Sequence, residues 1–179
     1  MIFVQRLSRP VINNSTLTAK LPLMRHQNSS SNAAGFKVLV EHPDFKRLGG
    51  IEAYWLKLFP RLNVPYESFS IARRPGETGP LARLLRLLRD YLKFWAMLSD
   101  RSIRIVHLNP SLERKSFYRE AVFLLLARLR RRKTLVFFHG WDRDFESRLD
   151  RGRGRLFRLL YGKADAFIVL AKSFADKLR

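Results

Sequence analysis

The sequence predicts an α/β protein built on a doubly wound parallel sheet. Five short strand-like runs recur along it: 36-FKVLV-40, 67-ESFSI-71, 103-IRIVH-107, 134-TLVFF-138 and 166-AFIVL-170. Most are continuously apolar rather than alternating, the pattern of strands buried on both faces of a parallel sheet. Helical stretches fill the gaps, at about 50–59, 81–98, 113–131 and 152–163, and a last one opens over 172–179. Strands alternating with helices of that length argue for a Rossmann-like sheet with helices on both faces.

Composition bounds the rest. A chain of 179 residues, 46% hydrophobic and 28% charged, has room for one well-cored domain. It contains no cysteine, which excludes disulfides, thiol nucleophiles and thiolate metal sites. No apolar run approaches the roughly 18 residues that span a bilayer. Lys and Arg number 35 against 15 Asp and Glu, a formal charge of +20. A field of that sign attracts polyanions: nucleic acid, anionic lipid headgroups or phosphorylated substrates.

The chain changes character near residue 36. The first acidic residue is Glu41, and a polar tract, 26-HQNSSSNAAG-35, precedes the first strand. Residues 1–35 are read as a poorly ordered basic leader, and the domain is expected to occupy 36–179. The leader's basic, serine-containing composition also resembles an organelle transit peptide, although its arginines are sparse for an amphipathic helix.

In a doubly wound sheet, ligands sit beyond the carboxyl ends of the strands. Four segments lie there: 41-EHPDFKRLGG-50, 108-LNPS-111, 139-HGWD-142 and 171-AKS-173. The first ends in Gly49 and Gly50 at the start of a helix. Glycine there lets a ligand approach the backbone and its amide N–H groups, or merely lets the helix pack on the sheet. The loop has neither the dinucleotide fingerprint nor the phosphate-loop lysine, so it is not expected to cradle a nucleoside triphosphate alone. In the second segment Asn109 follows the strand directly. In the third, His139 does the same, with Gly140 beside it to keep the turn open. Asp142 either contacts the same ligand or caps a helix beginning near Arg143. His107 ends the third strand and points either to the core or to the crevice.

The helix over 81-LARLLRLLRDYLKFWAML-98 is basic and amphipathic. Arg83, Arg86, Arg89 and Lys93 recur at three- and four-residue steps, opposite Leu81, Leu84, Leu85, Leu88, Leu92 and Trp95. That is the profile of a membrane-surface segment, and equally of a helix packed on the sheet with its arginines in water. Further clusters, 128-RLRRRK-133 and 151-RGRGR-155, add to an anion-binding surface.

Taken in order, "GGIE", "IVHLNPS", "VFFHGWD" and "ADAFIVLAKSFADKL" make residues 36–179 resemble the N-terminal half of a GT-B glycosyltransferase, more narrowly of the retaining glycosyltransferase family 4. The resemblance implies that Gly49 and Gly50 approach the donor diphosphate and that His139 contacts the transferred sugar. It implies a nucleotide-sugar donor as substrate, no resident cofactor or metal, and a polysaccharide or lipid-linked acceptor. The place is then the cytoplasmic face of a membrane, with an anionic lipid surface as partner. Two departures stand out. Ala171 takes the place where the family commonly has serine, with Ser173 two residues later. The family's second domain, with its spaced pair of glutamates, has no counterpart; Glu113 and Glu120 sit in the wrong half. The chain therefore reads as a truncated or split glycosyltransferase, with a separate C-terminal domain as a further partner and activity alone doubtful. The alternatives are a nucleic-acid-binding module and a non-catalytic partner. Against the former, no helix-turn-helix, zinc or RNP-like pattern is present.

Overall fold

The computed structural model describes residues 3–5, 35–43, 50–71, 78–150 and 154–177. Five parallel strands form the sheet: β2 (Lys37–His42), β3 (Tyr66–Ser70), β4 (Ile103–Leu108), β6 (Lys133–Phe138) and β8 (Ala166–Val169). A short β1 (Phe3–Gln5) lies antiparallel on β8, with Phe3 opposite Val169. This edge strand comes from the segment read as a leader; residues 6–34 of that segment lie outside the described residues.

The spatial order is β1-β8-β6-β4-β2-β3. From β2 the chain moves outward to β3, then crosses back to β4 on the other side. The strand order therefore reverses between β2 and β4, which is where such folds open a crevice at the carboxyl ends. Register keeps those ends level: Val40 lies opposite His107, and His107 opposite Leu135.

Helices α1 (Gly50–Leu58), α2 (Pro80–Met97), α3 (Arg114–Leu129), α4 (Arg143–Asp150), α5 (Gly154–Tyr161) and α6 (Lys172–Lys177) provide the connections. The core is aromatic. Phe69, Phe94 and Phe123 pack edge to face beneath α2 and α3, with ring centroids 4.8–5.7 Å apart. On the other flank Tyr161 packs on Phe117, and its hydroxyl donates to the Phe117 carbonyl at 2.7 Å, so the buried oxygen is satisfied.

α3 ends in a tight left-handed turn. The Arg132 N–H donates to the Ala127 carbonyl at 2.9 Å and the Arg131 N–H to the Arg128 carbonyl at 2.8 Å. That pair of bonds puts Arg131 at φ 56°, where glycine is usual.

Candidate active site at the carboxyl ends of the sheet

Two strand-end loops are locked together beside the crevice. β5 (Ser111–Leu112) pairs in parallel with β7 (Gly140–Trp141), Ser111 lying opposite Gly140. A Cβ on Gly140 would stand 2.9 Å from the Ser111 hydroxyl oxygen and 3.1 Å from its Cβ, so glycine is what lets the loops close on each other. The His139 N–H donates to the Pro110 carbonyl at 3.1 Å and completes the annex.

Through this annex runs a buried polar chain. The Asn109 N–H donates to Oε2 of Glu41 at 2.9 Å, and the Asn109 side-chain amide donates to the Glu41 carbonyl. With its nitrogen so used, Asn109 turns Oδ1 to Nε2 of His139, 2.9 Å away. An amide oxygen only accepts, so Nε2 carries the proton and Nδ1 keeps its lone pair. Nδ1 has no hydrogen-bond partner among the described residues, and the ring is half-buried. Tyr54 of α1 meets the ring edge-on at 5.4 Å, and Phe137 lies against it at 3.7 Å.

Burial sets the protonation. It pushes His139 down to about 4. Burial, and then the neighbouring His139, push His107 down to about 3. Both imidazoles are neutral at pH 7. His107 points into the core, against Trp55 at 5.0 Å, and its Nε2 is buried without a partner among the described residues. Burial, and after it the charge of Glu120, raise the Glu41 carboxyl well above the ordinary range. Glu120 is fully buried beneath it, held by Arg119 Nε at 2.7 Å.

The structure thus brings Asn109 and His139 into one chain and places α1, which begins at Gly50, beside them through Tyr54. Gly49 lies outside the described residues. A Cβ on Gly50 would meet nothing within 4 Å, so no internal packing demands glycine there. Asp142 is a helix cap: its Oδ1 accepts the N–H groups of Asp144 at 2.9 Å and Phe145 at 3.2 Å. Sequence reading did not find Glu41 or the β5–β7 annex.

On α2 the basic stripe divides. Arg83, Arg89 and Lys93 are exposed, with Lys93 over the Phe69 ring at 5.8 Å. Arg86 instead turns inward and pairs with the buried Asp90 at 3.2 Å. The helix packs through Asp90 and Phe94, so its leucines face outward. A helix with its arginines in water and its leucines on the sheet is therefore not what forms. No helix among the described residues is long and apolar enough to cross a membrane.

Fold and crevice define a Rossmann-like α/β domain of the kind that forms one half of a GT-B enzyme. The sequence pattern of the glycosyl transferase 4-like domain matches residues 47–179, and the chain belongs to that family. No curated protein and no solved structure matches it.

Proposed function

We propose that this domain is the acceptor-side half of a glycosyltransferase that moves a sugar from a nucleotide sugar to a polysaccharide or lipid-linked acceptor. The work is done at the cytoplasmic face of a membrane, with a second, donor-holding domain closing the crevice. In the reaction the bond between the anomeric carbon and the diphosphate oxygen breaks. The acceptor hydroxyl oxygen bonds to that carbon and gives up its proton, and the nucleoside diphosphate leaves with the electron pair.

One observation carries the reading. A neutral histidine, its tautomer fixed by Asn109, presents a lone pair at the carboxyl end of β6, one strand from the switch point of the sheet. Such a group accepts a hydrogen bond from a sugar hydroxyl without adding charge to the site. At the α1 terminus, the open backbone around Gly50, with Gly49 before it, suits the approach of a diphosphate. Asp142 contributes by fixing α4, and so the loop that carries His139.

The test is sugar transfer by the full chain with the second domain fused or supplied in trans. His139→Ala is expected to lower kcat/KM by about 10- to 100-fold, the worth of one or two hydrogen bonds made in the transition state. Unchanged kcat/KM in that variant would remove His139 from the site. Robust turnover by residues 36–179 alone would show that no second domain is needed.

A further inference from the structure

α2 displays an apolar stripe that nothing among the described residues covers. Leu81, Leu84, Leu85, Leu88 and Leu92 are 49–69% exposed and follow one another along one face. Single exposed leucines need no explanation, but a row of five along roughly 17 Å of helix does.

The charges around the stripe are equally one-sided. Arg89 borders it and makes no hydrogen bond or ion pair among the described residues. The sole acid of the helix, Asp90, is buried and held by Arg86. At the carboxyl end of α2 the apolar face runs into a basic hollow of about 770 Å³ at the amino ends of β4 and β6. Trp95 makes the join: the Arg130 guanidinium lies on its ring at 3.8 Å, and Arg130 also lines the hollow. Some cations of the hollow are engaged, Arg132 with the Leu98 carbonyl at 2.6 Å and Lys133 with Asp165 at 2.8 Å. Arg101, Arg104 and Arg131 are exposed and have no such partner among the described residues.

We propose that this continuous face docks flat on an anionic bilayer. The leucines enter the acyl boundary, and Arg89 and the exposed arginines of the hollow bind lipid phosphates. The inference rests on the membrane-surface part of the functional reading and identifies the face that performs it. Charge selects the occupant. A second copy packing stripe to stripe would bring Arg89 of both copies to one seam with no exposed acid on α2 to offset them. An anionic leaflet offers apolar depth and negative charge together, which is what an interfacial helix of this pattern requires.

The experiment is co-sedimentation of the full chain with vesicles, with no sugar donor or acceptor present, so that failure here is separate from failure of glycosyl transfer. The chain is expected to bind vesicles of equal parts phosphatidylglycerol and phosphatidylcholine and to leave pure phosphatidylcholine largely unbound. Leu84→Gln, Leu88→Gln and Leu92→Gln together should weaken binding at least about tenfold with the melting temperature retained, since these side chains are exposed. If that triple variant does not fold, Leu92→Gln alone is expected to weaken it about threefold. Arg101→Gln and Arg104→Gln should each cost about fivefold at low salt and less at high salt. Wild-type binding in the leucine variants would overturn the proposal. So would a dimer that dissociates in them, or length-dependent RNA binding that they leave intact in place of vesicle binding.

Discussion

The crevice end of the sheet and the outer face of α2 are built on opposite rules. At the crevice, Glu41, Asn109 and His139 are committed to one another, and burial keeps both histidines neutral. On α2 and the hollow beyond it, leucines and arginines stand open with few internal partners. The difference teaches how the described cations are used. Arg89, Arg101, Arg104 and Arg131 stand exposed on α2 and the hollow, whereas the buried chain of Glu41, Asn109 and His139 contains none. One region is arranged to hold a group in a fixed pose; the other suits adhesion over a broad area.

The largest test of that contrast removes the centre of the buried chain. Asn109→Ala withdraws the side-chain donor to the Glu41 carbonyl and the acceptor for His139 Nε2. Leaving two buried groups unpaired should cost about 2–4 kcal/mol in urea unfolding. Vesicle binding by the folded fraction should be unaffected. A loss under about 0.5 kcal/mol would mean that the crevice is no more internally committed than the outer face.

Next in size is a pH effect. The folded-state values of His139 and His107 lie below their ordinary 6.5, so each adds stability that is whole above about pH 6.5. That stability drains as pH falls toward 4 and 3, by at most about 1.4 kcal/mol per pH unit for each. Glu41, raised instead of lowered, works in the opposite direction. The His139 share is isolated by comparing wild type with His139→Asn. Their difference in unfolding free energy should shift in favour of the variant as pH drops from 6.5 to 4. Parallel pH profiles would place His139 in water rather than in the buried chain.

The smallest expected effect is on the other region. Arg131 occupies a left-handed turn that costs a non-glycine residue about 1 kcal/mol. Arg131→Gly should raise stability by about 0.5–1 kcal/mol while weakening binding to anionic vesicles and flattening its salt dependence. A variant more stable and equally adhesive would separate the arginine from the docking surface.

Much of the fold was legible because parallel strands buried on both faces leave unbroken apolar runs. The 103–107 reading gave Ile103–Leu108, and 134–138 gave Lys133–Phe138. The site was legible only as places. Strand ends pointed to Asn109 and His139, but the bond between them spans 30 residues and leaves no local pattern. Glu41 was passed over for the same reason: a carboxyl becomes a core residue only through a partner 68 positions away. Asp142 satisfies two readings in sequence, since caps and ligands draw on the same oxygen chemistry, and the backbone of α4 decides for the cap. For α2, helical periodicity gathered the leucines on one face but could not tell which side the sheet would take, nor that Arg86 would turn inward. Asp90 and Phe94, buried on a third side, made that choice.

α2 is the crossover that returns from β3 to β4, so it runs back along the sheet from the crevice end to the opposite end. A domain lying on that helix has its strands in the plane of the bilayer, and its crevice opens sideways along the lipid surface rather than down into it. A lipid-linked acceptor would then arrive by drifting within the leaflet, and the search for the next acceptor would be confined to two dimensions.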